Sequence, residues 1–264
     1  MVKVTRQDDR NPSEFVTAVE RGFSVLVALG QRKERMTLSE VAELVGLTRG
    51  TTRRFLLTLQ TLNYVDSDGK LFWLTPKVLQ FSNAYLASNP LAEAARPVIR
   101  KVTEALGESS SVATLDGFDV VYVARVETHR IFSSGLDVGS RLPAFCSSLG
   151  RVLLSGMAPA ELDAYLGRGP LEARTPRTVV DVKQLKERIR EAKKIGYALI
   201  DGEIELGVRS IAVPICDNTG NIIAALNVGT SAARASLEKM KKQFLPTLRS
   251  AASEIETTLR SWEQ

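Results

Sequence analysis

The chain has 264 residues, 35 Lys and Arg against 30 Asp and Glu, and one histidine, for a formal net charge of +5. That length suits two domains with cores of their own, and the small basic surplus permits a nucleic-acid partner without requiring one. A single histidine and two distant cysteines, Cys146 and Cys216, exclude a His-ligated metal site and a disulfide framework, so neither metal nor cofactor is expected.

In chain order, Phe15 to Leu29 predicts a helix, with Phe15, Val19, Phe23, Val25, Leu26 and Leu29 as its apolar positions. Thr37 to Tyr64 predicts two short helices separated by Gly46. In the first, Leu38, Val41, Ala42 and Val45 recur at spacings of three and four, and Ser39 and Glu40 sit in the opening turn. In the second, Thr52, Phe55, Leu56, Leu59, Leu62 and Asn63 form an inward stripe, which points Gly50, Arg53, Arg54, Leu57 and Thr61 outward. A helix with arginines and hydroxyls on one side and leucines on the other suits a major groove, where Arg reaches guanine edges or phosphates. The candidate contacts are Thr48, Arg49, Thr51, Arg53 and Arg54. An ordinary helical hairpin with a solvated basic face would carry the same pattern. The next segment favours DNA reading: Tyr64-Val65 and Leu71 to Leu74 are strand-like runs joined by a turn containing Asp68-Gly69. A hairpin at this place makes a winged helix-turn-helix, with Lys70 at the tip within reach of a phosphate.

Thr75-Pro76 is a good cap and first helical residue, so Lys77 to Ala87 predicts a connector helix with Val78, Leu79, Phe81, Tyr85 and Leu86 as its apolar positions. That surface fits packing on a twin in a dimer. The expected boundaries are 1–75 for the DNA-reading domain, 76–89 for the connector and 90–264 for a second domain. There, Leu91 to Leu106 predicts a helix, and Ser110 to Leu115 and Val120 to Val126 a hairpin around Asp116-Gly117. A strand at Ile131 to Leu136, a helix at Ser147 to Met157 and an amphipathic helix at Asp181 to Ile195 come next. Strands at Tyr197 to Ile200, Val208 to Ile215 and Ile222 to Val228 precede a closing helix from Leu237 to Trp262, expected to bend near Pro246. Short turns between successive strands imply an α+β fold with an antiparallel sheet and flanking helices. No apolar run reaches the length of a membrane span and MVKVTRQDDR is too polar for a signal peptide, so the expected compartment is the cytoplasm.

From about Glu14 onward the chain resembles the IclR family of bacterial transcriptional regulators. The resemblance is carried by GFSVLVAL, LSEVAELVGLTRGTTRRFLLTL, WLTPKVLQF, LPAFCSSLGRVLL and DGEIELGVRSIAVPI in that order. NPSEFVTAVERG and SSLGRVLL look most like the subgroup that controls aromatic catabolism through the β-ketoadipate pathway. The resemblance implies a winged-helix DNA reader, a dimerising linker and a GAF-like C-terminal domain that binds a small organic acid of the protocatechuate, 4-hydroxybenzoate or β-ketoadipate class. It further implies a homodimer or dimer of dimers on near-palindromic operator DNA. The effector positions it carries over are Ser148, Leu149, Asp201, Ser210, Asn227 and Gly229, with Ser148-Leu149 standing where other members often have Gly-Ala.

A carboxylate ligand also calls for hydroxyls, free amides at a helix start and a cation, which brings in Ser147, Arg209 and, second, Arg141. Simple capping accounts for the serines equally well, and an ion pair with Glu203 or Glu205 accounts for Arg209. Phe145 and Phe132 either line a cavity or fill the core. Two rival functions stand beside the regulator: a GAF-fold thiol-dependent enzyme using Cys146, for which no histidine partner is readable since His129 sits in a polar turn, and a DNA binder whose second domain only oligomerises.

Overall fold

The computed structural model describes residues 14–32, 34–128 and 135–262. Residues 131–134 of the predicted strand, with Phe132, and His129 lie outside them. The chain divides into two compact units, the first ending at Tyr85 and the second beginning at Leu86, so the division falls inside the connector helix.

The first unit comprises α1 (Thr17–Gln31), β1 (Met36–Thr37), α2 (Leu38–Val45), α3 (Arg49–Thr61), β2 (Val65–Ser67) and β3 (Leu71–Leu74). The strands form an antiparallel sheet in the order β1-β3-β2, and its hairpin is the expected wing. The two-residue strand β1 gave no signal of its own in the sequence. Helix α1 does not turn its whole apolar set inward: Val25, Ala28 and Leu29 are buried, whereas Val16, Val19, Phe23 and Val27 are about half exposed. At about 100° per residue, Phe23 and Val25 must lie on nearly opposite sides, so one list of apolar residues serves two faces.

Helix α2 opens on a capping box. The Thr37 amide donates to Glu40 Oε2 at 2.7 Å and the Glu40 amide to Thr37 Oγ1 at 3.3 Å, which holds the Glu40 carboxyl below its usual range. The helix closes at Gly46, whose φ of 67° turns the chain toward α3. In α3, Thr52, Leu56 and Leu59 are buried, but Leu62 and Asn63 are exposed and leave the predicted stripe. The helix stops at Thr61, and Asn63 adopts a left-handed φ of 61° that redirects the backbone into the wing. A 3-10 turn (Pro76–Val78), capped by Thr75, then leads into α4 (Leu79–Ala87), which buries none of its side chains within this chain.

The second unit contains α5 (Pro90–Leu106), β4 (Ser109–Asp116), β5 (Asp119–Val126), β6 (Arg141–Pro143), α6 (Ser148–Ser155), α7 (Pro159–Arg168), α8 (Val182–Ile195), β7 (Ala198–Asp201), β8 (Val208–Cys216) and β9 (Ile222–Ser231). Helix α9 (Leu237–Lys239) runs through a π turn at Met240–Phe244 into α10 (Leu245–Trp262). That turn, upstream of Pro246, is the irregularity of the closing helix. Pro246 has no N–H to offer one turn back, and the Leu245 amide bonds Met240 O in the wider π pattern. Helix α7, with only Leu162 and Leu166 buried, carried too little periodicity to be predicted.

The six strands are antiparallel in the order β6-β5-β4-β9-β8-β7. Alternation sorts their side chains onto two faces. Val112, Ile211, Val213, Ile215, Leu226 and Val228 pack with α5 and α10. Ala113, Tyr122, Ala198, Ala212 and Ala225 face Leu149, Val152 and Leu153 of α6, with α7 and α8 beyond. The second face is floored by small residues.

Candidate functional site

Thr48 caps α3 by accepting from the Thr51 amide at 3.3 Å and donates its hydroxyl to Thr51 Oγ1 at 3.0 Å, while the buried Thr52 hydroxyl returns to Thr48 O. This ties down the first turn of α3 and sets the direction of the side chains beyond it. Arg49, Arg53 and Arg54 are exposed on that helix, and among the described residues none of their guanidiniums has an intramolecular partner. Lys70 stands at the wing tip beside Gly69, whose φ is 94°. Asp68 Oδ1 accepts from the amides of Lys70 and Leu71, which rigidifies the tip and holds the Asp68 carboxyl below its ordinary range. Arg35, which sequence reasoning passed over, stacks its guanidinium 3.7 Å from the Trp73 ring and stiffens the base of the wing.

In the second unit the predicted effector residues fall into two groups. Ser147 caps α6, accepting from the Gly150 amide at 3.0 Å, and Ser148 and Leu149 begin that helix over the small-residue face. Asn227 and Gly229 lie on the same face, next to Ser111 and Ser210 across the ladder. Ser148 is 1% exposed, and among the described residues its hydroxyl has no hydrogen-bond partner. Asn227 is 8% exposed, and its amide likewise has no partner among the described residues. A side chain at Gly229 would meet nothing within 4 Å, so the floor there is open.

Asp201 and Arg209 do not join this group. Each is one residue out of phase with Ile200 and Ser210, so they project from the opposite face, where Arg209 Nε bonds Asp201 Oδ1 at 2.8 Å. Arg209 also donates to Ala232 O and Ala235 O, and Arg177 joins Asp201 at 3.3 Å. The partner of Arg209 is therefore Asp201 rather than Glu203 or Glu205, and these bonds hold the Asp201 carboxyl below its usual range. Arg141 is engaged at the β6 edge by Asp116 and Asp119 at 2.7 and 3.1 Å.

Two family profiles match the chain: the IclR helix-turn-helix domain over residues 18–69 and the bacterial transcriptional regulator IclR C-terminal domain over residues 83–257. The chain belongs to the IclR family. Among relatives, the Pca regulon regulatory protein of Pseudomonas putida is 42% identical over 92% of this chain and 84% of its own. A solved structure from Rhodococcus sp. RHA1 is 44% identical, with a TM-score of 0.81 over 94% of this chain and 99% of its own. An IclR homolog from Microbacterium hydrocarbonoxydans, solved with 4-hydroxybenzoate, is 27% identical, with a TM-score of 0.77 over 92% of this chain and 99% of its own.

Within this IclR-family chain, Cys146 is wholly buried, its thiol 3.8 Å from Pro143 O. Burial, with the Glu203 carboxylate adding to it, pushes that thiol up to about 12, so the nucleophilic thiolate is strongly disfavoured. Phe145 is buried in the core cluster under α6. No helix among the described residues is long and apolar enough to cross a membrane.

The register of α6 depends on Gly150. A Cβ there would stand 2.1 Å from Ala144 O and 2.2 Å from Ala144 Cα, both backbone, so the helix start would have to lift off its preceding turn. Gly150→Ala is expected to destabilise the second unit by about 3 kcal/mol or more, read from urea unfolding of the full chain. A loss below about 1 kcal/mol would contradict this account of the helix start.

Proposed function

We propose that this regulator reads operator DNA through Arg49, Arg53 and Arg54, with Thr48, Thr51 and Lys70 contacting the phosphate backbone. It acts in the cytoplasm as a homodimer or dimer of dimers. The observation that carries this reading is the exposed row of guanidiniums on the second helix of the motif, unpartnered among the described residues. Guanidiniums held on one face of a helix and not engaged within their own unit can reach phosphates or base edges without first breaking an internal bond. Two such heads would enter successive major grooves if spaced by about 34 Å or a multiple of it.

The second unit is read as the receptor for a small organic acid of the protocatechuate, 4-hydroxybenzoate or β-ketoadipate class, bound between the small-residue face and the start of α6. Ser148 supports this, because a buried hydrogen-bonding group left unsatisfied costs about 1–3 kcal/mol that a polar ligand or water recovers, and Asn227 offers a second polar group on the same face. Ser147, Leu149, Ser210 and Gly229 complete the predicted set on that side, and Asp201 and Arg209 are left to hold the sheet edge. The similarity to the Pca regulon protein and to the 4-hydroxybenzoate complex supports an aromatic-catabolism acid and, with it, control of the genes that degrade it. Effector binding then alters how well two reading heads match the operator.

The test is a thermal-shift screen of the full chain against aromatic acids and their ring-cleavage products, followed by a gel shift on upstream DNA. One acid is expected to raise the melting temperature and change the mobility of the DNA complex. Absence of a shift across the whole panel would leave a second unit that only oligomerises, and absence of any DNA complex would overturn the DNA-reading assignment.

A further inference from the structure

The small-residue face carries a cation that the sequence reading did not single out. Strand β5 contains a bulge: Val112 pairs Ala124 and Ala113 pairs Tyr122, so Val123 has no opposite number. In a regular strand Tyr122 and Arg125, three residues apart, would face opposite ways. The bulge restores their phase and places both on the face beneath α6, with the Arg125 guanidinium 5.9 Å from the Tyr122 ring.

The side chain of Arg125 is 7% exposed, and its Nη1 donates to Ser111 Oγ at 3.0 Å. Ser111 pairs Arg125 on one side and Asn227 on the other, so the three form a transverse polar row on a floor of alanines. Nε and Nη2 of Arg125 both donate to Glu127 Oε1, at 3.1 and 2.7 Å. Glu127 is 38% exposed and hangs from the chain just past the strand end, whereas the guanidinium it holds is almost wholly desolvated. A planar guanidinium edge with two parallel donors is built for a bidentate carboxylate, and here a part-exposed Glu127 meets both donors with the same oxygen.

Resting on the reading that an organic acid binds against this face, we infer that Arg125 grips the acid's carboxylate and that Glu127 fills the grip when the acid is absent. The ligand class is a compact monoanionic or dianionic carboxylic acid. One carboxylate displaces Glu127 from Arg125, while Ser111 steadies the guanidinium and Asn227 and Ser148 take the remaining polar groups. Glu127 thus acts as an internal competitor that sets the threshold concentration of effector.

The experiment is isothermal titration calorimetry on the full chain with 4-hydroxybenzoate, protocatechuate, β-ketoadipate and the neutral twin 4-hydroxybenzamide. The proteins are wild type, Arg125→Gln, Arg125→Lys, Glu127→Gln and Asn227→Leu, with ligand-free melting temperatures recorded for each. Wild type is expected to bind an acid at least ~30-fold more tightly than Arg125→Gln does, and Arg125→Lys to lose less because it keeps the charge but not the fork. Glu127→Gln is expected to bind the acid several-fold more tightly than wild type. Should Arg125→Gln melt like wild type and bind the acid within ~3-fold of it, or Glu127→Gln bind more weakly, the assignment is overturned. If Arg125→Gln does not fold, Arg125→Lys at wild-type affinity, or the benzamide matching 4-hydroxybenzoate, overturns it as well. Binding lost in Asn227→Leu but intact in folded Arg125→Gln would sink the Arg125 grip alone and keep the effector face. Binding untouched by both, or no acid bound by wild type, would sink the effector reading with it.

Discussion

Replacing Arg53 and Arg54 together by alanine is expected to weaken operator binding by about 2–6 kcal/mol, at about 1–3 kcal/mol for each bidentate base contact removed. The loss should be visible in fluorescence anisotropy on operator DNA, repeated at several salt concentrations. Salt separates the two ways an arginine can act. A guanidinium that neutralises one phosphate contributes about one unit to the slope of log affinity against log salt, whereas a base-reading one discriminates between sequences. If Arg53 and Arg54 read bases, the double variant will lose preference for the operator over unrelated DNA while keeping most of its salt slope. Folding should be untouched, because neither guanidinium hydrogen-bonds or pairs with another described residue and both are exposed. Wild-type affinity and selectivity in the double variant would reduce α3 to a solvated helix and remove the assignment of these residues.

The first unit was largely legible because its signals are local. Thr37 with Glu40, Gly46 at the left-handed cap, Thr48 at the next cap and Asp68-Gly69 in the wing each act within four residues of themselves. The exposed half of α1 was less legible. Val19 and Phe23 read as core in a linear list, and only their angular position separates them from Val25 and Leu29. In the second unit Ser148, Asn227 and Gly229 were within reach of sequence reasoning, but Ser111, Tyr122 and Arg125 were not. Their common face depends on a bulge at Val123 and on a register between β4, β5 and β9 that brings together residues about a hundred positions apart. One signal was available and went unused: Arg209 and Ser210 are neighbours on a strand, and neighbours on a strand cannot line the same cavity.

The same long-range character governs the other large expected effect. Arg151 lies inside the fully buried helix α6, and its Nη2 bonds Glu203 Oε2 at 2.7 Å with side chains only 5% and 10% exposed. Arg151 Nε also donates to Phe145 O at 3.2 Å, and Glu203 Oε2 accepts from the Val179 amide at 3.2 Å. Thr178 Oγ1 donates to Glu203 O at 2.6 Å, and Thr175 Oγ1 to Gly202 O at 2.6 Å. The pair therefore bolts α6 both to the segment after β7 and to the strand-free stretch before α8. Glu203→Ala would leave the Arg151 cation in place with its solvation removed and its counter-charge gone. The expected cost is about 3–5 kcal/mol in urea unfolding of the full chain, since breaking one side of a buried ion pair exposes the full desolvation penalty of the other. Arg151→Met combined with Glu203→Leu should recover a large part of that loss, because an apolar pair of similar volume carries no such penalty. A double-mutant cycle completed with the single variants Arg151→Met and Glu203→Leu separates a charge interaction from independent contributions of the two side chains. Additive losses would mean that the charges do not interact and that the Glu203 side chain matters only through its bond from the Val179 amide, whereas a double variant more stable than Glu203→Ala alone identifies the stranded guanidinium as the source of the damage.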